Sequence, residues 1–124
     1  MDGSYGVEDL RRTDILMSSL SEFLAPDTLT TFLVVTPGAE VAAVKDYLLC
    51  WSSLPIEVMA EEDLVPELAR YAGLRGWRKQ QLVKLASSRV LSSEFCLTFD
   101  ADVFSTRPAS LQELLPGGKA LIQY

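Results

Sequence analysis

Asp100 and Asp102 stand one residue apart at the end of the apolar run Phe95-Cys96-Leu97-Thr98-Phe99. A strand that ends in two closely spaced carboxylates can aim both side chains outward from the turn that follows it. Their oxygens suit a hard divalent cation, Mn²⁺ or Mg²⁺. Such an ion can bridge a diphosphate and neutralise the charge that develops on a departing nucleotide. Two adjacent carboxylates are costly to ionise together unless a cation sits between them. The plainer reading of Asp-Ala-Asp is that one acid caps the next turn and the other is solvated.

A helix-like stretch precedes the pair. Trp77, Gln81, Lys84 and Ser88 recur at spacings of four, three and four from Trp77 to Leu91. They share one side of a helix, with Leu82, Val83, Leu85, Ala86 and Val90 expected toward the core. Lys84 then projects from the polar side just before the strand that delivers the two aspartates. There its ammonium can supply charge and hydrogen bonds to a metal-bound diphosphate; otherwise it is an exposed lysine of an ordinary amphipathic helix.

The elements that must hold these residues alternate. Asp9 to Leu24 predicts a helix with Ile15, Leu16, Leu20, Phe23 and Leu24 on its apolar stripe, ended by Pro26 and Asp27. Thr31 to Thr36 is a β-branched and aromatic run that predicts a buried strand, closed by Pro37-Gly38. Glu40 to Leu49 returns to helix, and Ile56 to Met59 is a short strand. Asp63 is placed to cap a short helix toward Tyr71, with Gly73 and Gly76 breaking the chain after it. Glu94 to Phe99 predicts a strand running into Asp100. Leu111 to Leu115 fits a helical turn, Pro116-Gly117-Gly118 a turn, and Ala120-Leu121-Ile122 the start of another strand.

Strands separated by helices imply an α/β fold, a mostly parallel sheet flanked by helices. Ligands of such sheets bind beyond the carboxyl ends of the strands, where Asp100 and Asp102 stand. The expectation is a single domain over residues 1–124, truncated at both ends: Met1 to Gly6 reads as the exit of a strand, and Ile122-Gln123-Tyr124 stops inside one.

The bulk composition is that of a globular domain, with 48% hydrophobic and 23% charged residues among 124. A net charge of −6 opposes nucleic-acid binding, which needs a basic face. Yet Arg70, Arg75, Arg78, Lys79, Lys84 and Arg89 crowd one segment, and no acid interrupts Tyr71 to Ser93. A solvated helix face explains that crowding, and so does a site for a small phosphorylated ligand. No apolar run approaches the roughly 20 residues of a membrane span, and the first fifteen residues lack the apolar core of a signal peptide. Cys50 and Cys96 have no metal-like or redox spacing and are expected reduced and buried. These features predict a cytoplasmic protein.

The stretch from Gly76 to Ala86 (Gly-Trp-Arg-Lys-Gln-Gln-Leu-Val-Lys-Leu-Ala), followed by Phe95 to Pro108, resembles GT-A glycosyltransferases, among them a family of bacterial glycosyltransferase-like proteins. The spacing from Lys84 to Asp100 is also similar to that in glycogenin and its relatives. The resemblance implies a Rossmann-like GT-A fold that binds a nucleotide-diphospho-sugar through Mn²⁺ or Mg²⁺ and transfers the sugar to an acceptor hydroxyl. By analogy alone, surface-polysaccharide precursors are such acceptors. Carried over, Asp102 is the firmer metal ligand and Asp100 binds metal or the donor's ribose and sugar hydroxyls. Lys84 approaches the donor phosphate or sugar, with Gln81 and Trp77 beside it on the substrate side. Ser4-Tyr5-Gly6 resembles the turn that seats the base and ribose. The chain departs from that pattern in two respects. Enzymes of this type commonly take a third metal ligand, often histidine, from a later segment, and this sequence has no histidine. Their acceptor-binding and catalytic residues also follow the Asp-x-Asp motif, so donor binding is better supported than turnover.

Two other readings remain. One is a non-catalytic binding or interaction remnant of this fold. The other is a haloacid-dehalogenase-like phosphatase with Asp100 as nucleophile and Asp102 as acid/base. Such phosphatases carry the motif near the amino terminus, whereas some ninety residues precede it here and bulky Val103-Phe104 follows.

Overall fold

A computed structural model of the chain describes residues 7–71, 73, 76–100 and 103–120. Its elements are α1 (Val7–Phe23), β1 (Phe32–Thr36), α2 (Val41–Leu48), β2 (Ile56–Ala60), α3 (Glu61–Leu64), α4 (Gly76–Ser87) and α5 (Leu111–Leu114). Short 3₁₀ turns occupy Gly38–Glu40, Leu49–Trp51, Pro66–Tyr71 and Pro116–Gly118. Met1 to Gly6, Asp102 and the strand expected through Leu121 and Ile122 lie outside the described residues.

The fold is mixed α/β around a two-stranded parallel sheet, with Phe32 opposite Ile56 and Thr36 opposite Ala60. Alternation along the strands feeds two layers. Phe32, Val34, Ile56 and Val58 pack against Met17 of α1 and Val44 and Leu48 of α2 on one face. Val35 and Met59 point the other way, to Leu64 and Val65 at α3 and Val83 and Ala86 of α4. Helices therefore cover both faces, the arrangement that makes short, continuously apolar strands stable in a parallel sheet.

Two helices are turned differently from the expectation. On α1 the buried residues are Leu16, Met17, Ser19 and Leu20, while Ile15 is exposed. At 100° per residue Ile15 falls roughly 140° from the centre of the Leu16–Met17–Leu20 stripe, so it cannot join that face. The Ser19 hydroxyl is satisfied by donating to the Leu16 carbonyl at 2.8 Å. On α4 the inward face is Val83, Ala86 and Ser87, whereas Leu82 and Leu85 are exposed. The same arithmetic puts Leu82 about 100° and Leu85 about 160° from Val83, both on the side away from Lys84.

Other expectations need correction. Asp63 is not a cap: it sits inside α3, which starts at Glu61 directly after the strand, with Glu61, Glu62 and Asp63 in the first turn where acids suit the helix dipole. The helix expected over Trp77 to Leu91 runs from Gly76 to Ser87 instead. Residues 94–99 form no strand, because no described neighbour pairs with them. Both cysteines are exposed: Cys50 lies in the 3₁₀ turn after α2 and Cys96 in the unpaired segment.

After Asp100 the chain returns to α1. The Ser105 N–H donates to Ser19 Oγ at 2.9 Å, and Leu24 and Ala109 form an isolated parallel bridge. This strap fixes the carboxyl side of the Asp100 segment against the end of α1.

Candidate functional site

β1 and β2 both end at the same edge of the sheet, so Thr36-Pro37-Gly38 and Ala60-Glu61-Glu62 rise from it together. Thr36 is 1% exposed and donates its hydroxyl to Glu40 Oε2 at 3.3 Å. The Gly38 N–H donates to Glu62 Oε2 at 2.9 Å, and a Cβ built on Gly38 would lie 2.8 Å from that oxygen. Glycine at 38 thus lets the Glu62 carboxylate sit tight on the backbone. Glu61 pairs with Lys79 from α4 across the mouth of the cleft.

Lys84 and Asp100 meet, as their types and spacing suggested. Lys84 Nζ donates to Asp100 Oδ1 at 2.8 Å, with the side chains 33% and 63% accessible. Helical arithmetic explains why Lys84 reaches the site and its companions do not. It lies about a quarter turn from inward-facing Val83, at the border of the buried face. Trp77 and Gln81 lie further round and are exposed, Trp77 at 70%. Neither lines the cleft; Gly76, Lys79, Gln80, Val83, Lys84 and Ser87 do so from α4.

The cleft is large, about 1410 Å³, and runs along the whole outer edge of β1. Its walls are β1 on one side and residues 93–100 on the other, with α1 contributing Leu16 and Met17 and α4 contributing Val83 and Lys84. The lower end is tied by Thr30 Oγ1 and Ser93 Oγ at 2.8 Å. Thr36, Glu61, Lys79, Lys84 and Asp100 cluster toward the other end. That end is mixed in charge: two ammonium groups each hold a carboxylate.

A metal would find hard oxygen donors here, because Asp100 retains Oδ2 when Lys84 holds Oδ1. Among the described residues, however, no three acidic, cysteine or histidine side chains converge into a ligand set. Asp100 offers one oxygen donor, and a complete ligand set would need groups beyond the described residues. Thr36, Glu61 and Lys79 were not singled out from the sequence. The carboxyl-end rule that located Asp100 applies equally to residues that end β1 and begin α3, and it points to Thr36 and Glu61.

No described helix is long and apolar enough to cross a membrane. No curated protein and no solved structure matches the chain. A family model does match, over residues 1–124, and the chain belongs to that family, DUF6492, a family of unknown function.

Proposed function

We propose that this domain binds a nucleotide-diphospho-sugar in the manner of a GT-A glycosyltransferase, with a divalent cation held by Asp100 and Asp102. The observation that carries the reading is the Lys84–Asp100 contact, at the mouth of a cleft on the carboxyl-end side of two parallel strands. A helix lysine and the aspartate it contacts provide the opposite charges that a metal-bound diphosphate needs. The aspartate ligates the cation and the ammonium neutralises a phosphate oxygen.

In this reading the Lys84–Asp100 pair is the resting state of the site. The cation takes Asp100, and Lys84 turns to the donor's phosphate, so neither charge is left without a partner. Mn²⁺ or Mg²⁺ would supply the positive charge that eases departure of the nucleotide diphosphate. Lys79 is kept by Glu61 and serves as a second cation at the rim. Trp77 and Gln81 stay outside this account because they face solvent away from the cleft.

Calorimetric titration of the chain with UDP and GDP, with and without Mn²⁺, tests the proposal. The expected result is binding that requires the metal and disappears in Asp102→Ala. Absence of binding to either nucleotide at millimolar concentration, with Mn²⁺ present, would overturn it.

A further inference from the structure

α4 carries apolar side chains on both faces, and the fold uses only one of them. Val83, Ala86 and Ser87 turn inward. On the far side Trp77, Gln81, Leu82 and Leu85 face solvent, Trp77 and Leu85 with 70% and 74% of their surface exposed. Arg78 and Arg89 share that outward arc and are exposed as well. Arg89 sits in the turn that continues the helix, its N–H donating to the Ala86 carbonyl at 3.0 Å. The six positions span about 140° of the helix, centred opposite Val83. A tryptophan and two leucines on one exposed helix face mark contact with a membrane or a partner.

The charge on this face decides between occupants. Residues 70–93 hold six cations and no acid, whereas the remainder of the chain holds five cations and seventeen acids. Glu61 and Asp100 meet α4 through Lys79 and Lys84 on its cleft side, and each is held by its lysine, so neither offsets Arg78 or Arg89. Two copies joined through this face about a two-fold axis would set arginines against arginines, with no carboxylate on the arc to pair them. An anionic lipid surface suits the face better. Tryptophan favours the headgroup boundary and leucine the acyl layer beneath it. An arginine can run its stem along that layer and deliver its guanidinium to a lipid phosphate. Trp77, Leu82 and Leu85 lie outside the cleft, on a convex helix surface that a flat, deformable bilayer can receive.

We propose that the outward face of α4 docks the protein on an anionic membrane surface, with Trp77 and Leu85 inserted and Arg78 and Arg89 on headgroup phosphates. The 12-residue helix, about 18 Å long, lies in the interface rather than crossing it. The acidic remainder of the chain is repelled by the same surface, so one orientation is selected. Lys84 stands about 20° round the helix from Trp77, so the end of the cleft where it holds Asp100 opens beside the bilayer.

Co-sedimentation of the full chain with vesicles of equal parts phosphatidylglycerol and phosphatidylcholine tests the proposal, with pure phosphatidylcholine vesicles as the comparison. No nucleotide enters the test, so its outcome is independent of the donor reading. The expected result is binding to the anionic vesicles alone, weakened by salt. Arg78→Gln combined with Arg89→Gln should weaken it about 25-fold, at about fivefold for each cation near the surface. Leu85→Ala, a change at an exposed position, should weaken it about tenfold. Tryptophan emission should shift to the blue on binding, and the shift should vanish in Trp77→Phe, because the indole N–H of Trp51 is already buried. No binding to anionic vesicles, equal binding to phosphatidylcholine alone, or undiminished affinity in either variant would overturn the proposal. Two further outcomes would overturn it by naming another occupant. Blue-shifted Trp77 emission that grows with protein concentration in the absence of vesicles would place a second copy on the face. Binding of an oligoglutamate peptide through Arg78 and Arg89, with no binding to vesicles, would assign the face to an acidic protein.

Discussion

Replacing Lys84 by methionine separates a supporting ion pair from a ligand-binding one. Methionine keeps most of the lysine stem and removes only the charge, so packing against Val83 changes little. Lys84 and Asp100 are one-third and nearly two-thirds accessible. A pair so exposed contributes about 0.2–1 kcal/mol, since water and salt screen it. The variant should therefore lose less than about 1 kcal/mol in urea denaturation. For a chain of 124 residues this is a melting shift of at most about 5 °C. A lysine hydrogen-bonded to a diphosphate oxygen contributes more, about 1.5–3 kcal/mol. Nucleotide affinity in the presence of Mn²⁺ should fall by about 10- to 150-fold in calorimetry. The asymmetry is the point: a small loss of stability and a large loss of affinity. An affinity within about twofold of the native protein would refute the assignment of Lys84 to the donor. A stability loss above about 2 kcal/mol would show instead that the pair is a structural clamp.

The remaining predictions concern the packing and an ionisable contact. Met17, 1% exposed between α1, α2 and the sheet, should cost about 2–5 kcal/mol when changed to alanine, whereas Leu85→Ala, at a residue 74% exposed, should stay within about 0.5 kcal/mol. Urea denaturation of both variants checks this, and a large cost at Leu85 would mean that α4 presents its other face to the core. The Tyr47 hydroxyl donates to Asp14, and that bond, with a smaller contribution from burial and the Asp14 charge, holds its pKa above the ordinary 10.0. The folded state therefore keeps a proton that the unfolded chain releases first, so stability falls as pH rises. The advantage of the native protein over Tyr47→Phe should be constant below about pH 10 and shrink as pH climbs through the raised value; a difference that stays constant through the alkaline range would refute it.

The parts of the fold that were legible are those where local pattern and tertiary demand coincide. Phe32 to Thr36 and Ile56 to Ala60 are rich in β-branched residues, flanked by proline, and half-buried with helices packed on both faces, so propensity and packing agree. The Lys84–Asp100 contact was legible in part: helical periodicity puts Lys84 at the border of the buried face, and the extended run 94–99 brings Asp100 beside it without forming the expected strand. Trp77, Gln81, Lys84 and Ser88 do share an arc of roughly 60°, but that arc is centred more than a third of a turn from Val83, so Lys84 at its near edge borders the cleft while Trp77 and Gln81 face solvent. Ile15, Leu82 and Leu85 carry a separate lesson. A leucine or isoleucine near a stripe is counted with it by hydrophobicity, but only the angle decides whether it reaches the core. Cys50 and Cys96 show that a cysteine's tendency to be buried is outweighed by the element that carries it.

Residues 94–99 are the most instructive case, because their β character is plain while no described residue pairs with them. A helix satisfies its own backbone, so α4 can form from local signals and one buried face. A strand has no such independence; its peptide groups need a neighbour, and its side chains need a covered face. Here the nearest sheet edge lies across the cleft, so the segment stays extended and exposed while its flanks are fixed by the Ser93–Thr30 contact and the Ser105–Ser19 bond. Asp100 sits at the end of this unsupported stretch. It was legible as a residue type at the end of an apolar run, while the strand expected to carry it depends on a neighbour that no local pattern supplies.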